Sequence, residues 1–235
     1  MIKEAIILAG GFGTRLREVV DDVPKPIAPI AGQPFLNYVF RYLKSNNLNK
    51  AILSTGYQGD KISDLYQKES HGLALSYARE EEPLGTGGAI KFAMESCDSD
   101  SILVLNGDTF FDVDLSKLAE FHANQKADIS MVLRSIDSPD RYGTVSLSGD
   151  RITQFNEKQA GLKNGLINGG VYLINRRVWE KVPPLPDRFS IETEFFAPYI
   201  NELHIAGMIS DGYFIDIGIP SDYYQANDDF VSFKY

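Results

Sequence analysis

The sequence predicts an α/β fold built on a doubly wound, mostly parallel but mixed central sheet, and three observations lead there. Strand-like apolar runs alternate with helical periodicities through the first half of the chain. The run Ser101-Ile102-Leu103-Val104-Leu105 is almost wholly apolar, as a strand covered on both faces requires. A glycine-rich turn, Gly10-Gly11-Phe12-Gly13, directly follows the first strand, Glu4-Ala5-Ile6-Ile7-Leu8.

The elements follow in order. Leu36, Val39, Phe40 and Leu43 are spaced for one helix face, which predicts a helix over 34–46 with Pro34 in its first turn. A strand at 51–55, a helix carrying Ile62, Leu65 and Tyr66, a strand at 73–78 and a helix over 86–95 continue the alternation. The second half changes character. Strand-like stretches at 128–134, 142–147, 151–156 and 166–174, with the short turn Ser148-Gly149-Asp150, predict added antiparallel or mixed strands able to cover a substrate. Helices are expected over 190–202 and 220–230. With no repeat or linker, residues 1–235 read as one domain, with a nucleotide half over about 1–125 and a substrate half over about 126–235.

Composition excludes several classes. A hydrophobic content of 43% fits a packed globular core. The net charge of -9 argues against a nucleic-acid binder, which would carry a basic stripe. Cys97 is the single cysteine, so no internal disulfide can form. No leader or apolar run of membrane-spanning length is visible, so a cytoplasmic protein without membrane partners is expected. Homo-oligomerisation is left open.

The glycine turn lets backbone N–H groups approach phosphate oxygens, and Arg15 and Lys25 add the cationic groups a polyphosphate needs. Two common phosphate loops do not fit. The dinucleotide fingerprint wants a third glycine and a carboxylate after the second strand, whereas that strand ends in Gly56-Tyr57. The ATPase loop needs Gly-Lys-Ser/Thr, which is absent. At the end of a later strand, Asn106-Gly107-Asp108 places a carboxylate suited to Mg²⁺, although the same tripeptide is common in turns. Tyr213-Phe214-Ile215-Asp216 repeats the arrangement, so Asp216 is either an orienting group or a second metal ligand. Two carboxylates and a cationic phosphate loop describe metal-assisted phosphoryl or nucleotidyl transfer.

These motifs, in this order, resemble the sugar-1-phosphate nucleotidyltransferases. Gly11-Phe12-Gly13-Thr14-Arg15-Leu16 with Pro24-Lys25-Pro26 is similar to that family's signature loop, and Leu84-Gly85-Thr86-Gly87-Gly88 to its base-binding turn. Asn106-Gly107-Asp108, Glu157-Lys158, Asn168-Gly169-Gly170-Val171-Tyr172 and Asp216-Ile217-Gly218 resemble its metal, sugar and sugar-phosphate positions. The likeness spans almost the whole chain. It departs where Gln159 stands in place of a frequent proline and where Gly87-Gly88 replaces a usual alanine-glycine pair.

The resemblance implies a Rossmann-like three-layer sandwich and an in-line attack by a sugar 1-phosphate on the α-phosphorus of a nucleoside triphosphate. It implies Mg²⁺ as cofactor, held by Asp108 and Asp216, with Arg15, Lys25 and Lys158 as catalytic cations. Leu8, Ala9, Gly10, Gly11, Gly13, Thr14, Glu80, Gly85 and Thr86 would hold the nucleotide. Gly143, Glu157, Asn168 and Glu192 would hold the sugar, Glu192 lying in a segment, Ser190-Ile191-Glu192, that also reads as a helix cap.

Glu80-Glu81-Glu82-Pro83-Leu84-Gly85 should face the base. A carboxylate at Glu80 or Glu82 can accept both N1–H and N2–H of guanine, whereas uracil and thymine offer one imide N–H, and an acidic loop exposed to water is the plain alternative. The stretch from Val20 to Ile30, with Gly32-Gln33-Pro34-Phe35-Leu36, resembles the D-glycero-α-D-manno-heptose 1-phosphate guanylyltransferases, implying a GDP-sugar made for surface polysaccharide. Guanylyl transfer to mannose 1-phosphate and uridylyl transfer to another sugar 1-phosphate are the alternatives; a non-catalytic nucleotide-sugar sensor is a third, of another class. His71, His122 and His204 lack metal spacing, and Trp179 reads as core.

Overall fold

A computed structural model describes residues 2–11, 16, 19–20, 23–139, 142–158 and 161–235. The elements in chain order are β1 (Glu4–Leu8), a 3-10 turn (Lys25–Ile27), β2 (Pro29–Ile30), β3 (Gln33–Pro34), α1 (Phe35–Ser45), β4 (Lys50–Thr55), α2 (Gly59–Tyr66), β5 (Glu69–Ser70), β6 (Leu73–Arg79) and α3 (Gly85–Met94). They continue with β7 (Ser101–Asn106), β8 (Thr109–Phe111), α4 (Leu115–Gln125), β9 (Ile129–Asp137), β10 (Thr144–Ser148), β11 (Arg151–Asn156) and β12 (Asn164–Asn175). A 3-10 helix (Arg176–Lys181), a π-turn (Glu192–Phe196), β13 (Ile205–Ile209), β14 (Phe214–Asp216), α5 (Pro220–Asp229) and a final 3-10 turn (Phe230–Ser232) complete the chain.

Ten strands form one sheet in the order β10-β11-β13-β9-β12-β7-β1-β4-β6-β5. The pairings β1–β4, β1–β7, β4–β6 and β9–β13 are parallel, and β5–β6, β7–β12, β9–β12, β10–β11, β10–β12 and β11–β13 are antiparallel. The sheet is therefore mixed rather than mostly parallel. Parallel neighbours need a long crossover, which the helices of the first half supply; the tight turn at 148–150 can join only antiparallel strands.

Side-chain alternation along β1 divides the core into two layers. Ala5 and Ile7 pack with Leu53, Leu103 and Leu105 under α1, α2, α4 and α5. Ile6 packs with Ile52, Ile102 and Val104 under α3 and the segment around Phe189, Phe195 and Phe196. Successive strand residues point to opposite faces, so a fully apolar strand needs helices on both sides. Trp179 packs into the second layer, as its apolar neighbours suggest. Cys97 is buried there, and burial pushes its thiol up to about 11, an unreactive state at neutral pH.

Several elements differ from the sequence expectation, which includes neither the sheet strand β13 nor the short strands β2, β3, β5 and β8. Helix α4 is absent from it because only Leu115, Leu118 and His122 are buried, too thin an apolar stripe to read. Its start is fixed instead by Asp114, whose side chain accepts from Ser116 N and Lys117 N. The expected helix over 190–202 is a short π-turn. Its wide loops, Phe196 N to Ile191 O and Ala197 N to Glu192 O, accompany burial of both adjacent rings, Phe195 and Phe196. The cap expected at Ser190 is present: its hydroxyl accepts from Thr193 N, and its own N–H donates to the Glu194 carboxylate.

Candidate active site

In the parallel half, β1 leads to β4 and β6 on one side, and β7 then returns to the other side of β1. Ligands of open α/β sheets bind at the carboxyl ends of strands where the order reverses in this way. The register aligns those ends in one row, Leu8 opposite Ser54 on one side and opposite Asn106 on the other. A cleft of about 330 Å³ opens there. Its walls include Leu8, Gly10, Gly11, Lys25, Glu80, Gly85, Thr86 and Asp108, all anticipated from the sequence. Ala9 lies buried behind this wall, its N–H bonded to Ser54 O. Gly13, Thr14 and Arg15 lie outside the described residues.

One wall is the first turn of α3. Leu84 precedes it, and its N–H is satisfied by Glu80 Oε2 at 2.9 Å, while Ser54 Oγ donates to Glu80 Oε1 at 3.1 Å. Glu81 and Glu82 are exposed, so of the three acids Glu80 is the one that faces the cleft. Ser54 carries no sequence motif. The signal that could have found it is a hydroxyl at the end of an otherwise apolar buried strand.

The opposite wall carries Lys25 and Asp108, and Asp216 lies beside them, lining a neighbouring pocket rather than the cleft itself. Strand β8 pairs antiparallel with β14, setting Asp216 opposite Thr109, and Ile217 N donates to the Asp108 carbonyl at 2.9 Å. Lys25 Nζ lies 3.3 Å from Asp108 Oδ2. Asp216 Oδ1 accepts from Gly218 N at 2.8 Å. Burial raises the Asp216 carboxyl above its ordinary value and the Asp108 charge adds to this, while the Gly218 N–H and Lys25 pull it back. A Cβ at position 218 would stand 2.8 Å from Asp216 Oδ1 and 3.2 Å from Lys25 Nζ, so glycine keeps the space beside the carboxylate clear.

Two carboxylates with open space beside them suit Mg²⁺, which takes one or two protein carboxylates and completes its shell with substrate phosphates and water. Among the described residues no group of three or more metal-ligating side chains occurs.

The sugar-side candidates are placed less compactly. Gly143 precedes β10 and Glu157 follows β11, both at the hairpin end away from the 148–150 turn, where Thr144 pairs with Asn156. Thr144 also pairs with Ile167, next to Asn168. Asn168 Nδ2 donates to Glu192 Oε1 at 2.5 Å and to Tyr172 Oη at 2.7 Å. Two residues on, Gly170 packs against Asn106 of the cleft wall. Glu157 and Lys158 are exposed, and among the described contacts neither touches Asp108 or Asp216.

The two regions are tied together directly. Ile191 N donates to Thr86 Oγ1 at 2.9 Å, and Gly87 N to Phe189 O at 2.9 Å, linking the α3 turn to the segment that carries Glu192.

Residues 4–232 match the family described as nucleotidyl transferase. A D-glycero-alpha-D-manno-heptose 1-phosphate guanylyltransferase of Aneurinibacillus thermoaerophilus is 45% identical, over 95% of this chain and 96% of that protein. One of Campylobacter jejuni is 42% identical, over 94% and 97% respectively. The crystal structure of HddC from Yersinia pseudotuberculosis complexed with GMP-PN superposes with a TM-score of 0.86 at 35% identity, over 97% of this chain and all of that one. With the match running through nearly every element of the sheet and both walls of the cleft, the chain belongs to the nucleotidyl transferase family.

Proposed function

We propose that this protein transfers a guanylyl group from GTP to D-glycero-α-D-manno-heptose 1-phosphate, giving the GDP-sugar and pyrophosphate. The observation that carries the reading is the single cleft shared by Glu80, Lys25 and Asp108, an acceptor for the base at one wall and a cation beside a carboxylate at the other. The choice of sugar draws on the two relatives of nearly equal length that carry that activity in their names. Nucleotide binding is assigned to the half over 1–125 and sugar binding to the half over 126–235. The product is read as a precursor of surface polysaccharide made in the cytoplasm, where nucleoside triphosphates are available.

A phosphate monoester is already an anionic nucleophile, so no general base or covalent enzyme intermediate is required. A sugar-phosphate oxygen forms a bond to the α-phosphorus as the bond to the β-phosphate bridging oxygen breaks, and both electrons leave with pyrophosphate. Catalysis is then positioning plus charge neutralisation. Lys25 sits on the α-phosphate, Arg15 holds the leaving β- and γ-phosphates, and Lys158 binds the sugar phosphate. Asp108 and Asp216 would hold a divalent cation such as Mg²⁺, whose charge would offset repulsion between the two anionic substrates. Gly10, Gly11, Gly85 and Thr86 surround the nucleotide, while Glu157, Asn168, Glu192 and the backbone at Gly143 bind the sugar hydroxyls.

The test is pyrophosphate release with GTP, UTP, CTP, dTTP and ATP, each paired with heptose, mannose and glucose 1-phosphates. Turnover is expected to be fastest with GTP and the heptose. Nucleotide binding without turnover on any pair would favour a sensor, and preference for UTP would remove the role given to Glu80.

A further inference from the structure

Glu80 is clamped by two hydrogen bonds. The fully buried Ser54 hydroxyl donates to one carboxylate oxygen and the Leu84 N–H to the other, at 3.1 and 2.9 Å. Gly10 stands beside the carboxylate, and a Cβ there would come within 3.1 Å of Glu80 Oε1 and 3.2 Å of Gly56 N, so glycine leaves that oxygen uncrowded. Ser54 cannot drift, because β4 is hydrogen-bonded on both edges, with Ser54 opposite Leu8 of β1 and Ala78 of β6. Both Ser54 and Glu80 line the cleft.

A carboxylate offers about four lone-pair directions. With one taken on each oxygen, one acceptor direction remains on each, the number that the paired N1–H and N2–H of guanine require. An unclamped glutamate would lose rotamer freedom on meeting the base, whereas a clamped one has already lost it during folding. We propose that Ser54 is a positioning residue for base selection: its hydroxyl fixes the Glu80 carboxylate so that both oxygens face the guanine edge. The proposal rests on the assignment of Glu80 to the base. The bland alternative is that Glu80 only caps the Leu84 N–H ahead of α3 and Ser54 only braces it. Base preference separates the two, since a brace would weaken all nucleotides alike.

Equilibrium binding of GTP and of inosine triphosphate, without sugar phosphate, makes the test. Inosine lacks the exocyclic amino group and offers the carboxylate N1–H alone. The unaltered protein should favour GTP by about tenfold, within the range of a bidentate base contact. Ser54→Ala should narrow that preference to about threefold, chiefly through weaker GTP binding, and Ser54→Cys, a weak donor of similar size, should fall between. An unchanged preference in Ser54→Ala overturns the proposal, and the same result in Ser54→Cys does so if the alanine variant fails to fold. Glu80→Gln keeps the two failures apart. If the unaltered protein lacks the preference, or Glu80→Gln retains it in full, the assignment of Glu80 to the base falls, and that of Ser54 with it. If Glu80→Gln loses the preference while Ser54→Ala keeps it, only Ser54 is wrong.

Discussion

Asp108 and Asp216, 108 positions apart in sequence, are held together by backbone rather than by their side chains: Ile217 N donates to the Asp108 carbonyl, and Asp216 sits opposite Thr109 in the β8–β14 ribbon. The ribbon fixes two carboxylates near each other whatever their charge. Asp216 records the cost, its carboxyl raised by burial and then by Asp108. A carboxyl raised in the folded state binds its proton more tightly there than in the unfolded chain. Its ionised form therefore subtracts from stability at neutral pH, and the loss is relieved as pH falls through the folded value.

Asp216→Asn should accordingly separate function from stability. Turnover is expected to drop by about 100-fold or more, the scale of losing a charge-stabilising group at a reacting phosphate. The melting temperature measured without metal should hold or rise by about 2–4 °C, what 1 kcal/mol yields in a chain of this size. A melting temperature that falls by as much would show that the carboxylate supports the fold.

Lys25 is the counter-charge of this pair, 3.3 Å from Asp108. Lys25→Met should reduce kcat/KM by about 100-fold through lost stabilisation of the reacting phosphate. It should also move the acid limb of the pH–rate profile to higher pH, because Lys25 is one of the groups holding Asp216 down. A rate loss with an unmoved acid limb would mean that Asp216 is not the group titrating in that limb.

How much of this was legible in the sequence depends on the range of the interactions. β1, β4, β6, β7 and the strand ends at Asp108 and Asp216 are read directly, because apolar runs and terminal carboxylates are local. The partnership of Asp108 with Asp216 is not, since it depends on a two-stranded ribbon whose halves are each three residues long. Helix α4 is hidden by its thin apolar stripe, and the π-turn at Glu192–Phe196 by tertiary burial of two adjacent phenylalanines. The roles proposed for Glu157 and Lys158 come from the family motifs alone, and no local periodicity could have suggested them. Ser54 shows the reverse case, a residue with no motif whose function becomes visible only beside Glu80.

Among the residues proposed to bind the sugar, Asn168 and Glu192 make a testable pair through their 2.5 Å hydrogen bond. Asn168→Ala and Glu192→Gln should each raise the KM for the sugar 1-phosphate while changing GTP binding by less than about twofold. The double variant should be less impaired than the sum of the singles, with a coupling of about 1 kcal/mol. Strict additivity would indicate that the two act on the substrate independently.

Acid stability should be governed by Glu4, far from the cleft at the start of β1. Burial alone would raise its carboxyl, but Lys50, Ser99 and the Asp98 N–H all donate to it and bring it down to about 2. Both backbone contacts, at 2.9 and 2.8 Å, tie the loop before β7 to the first strand. A lowered carboxyl stabilises the fold when ionised, so its contribution is complete above the unfolded value of 4.5 and is lost as pH falls toward about 2. The shift corresponds to about 3 kcal/mol. Glu4→Gln should cost about that much at pH 7, measured by denaturant unfolding, and less and less as the pH is lowered below 4.5. A penalty that stays constant down to pH 3 would assign the loss to packing around the amide instead of to the ionised group and its donors.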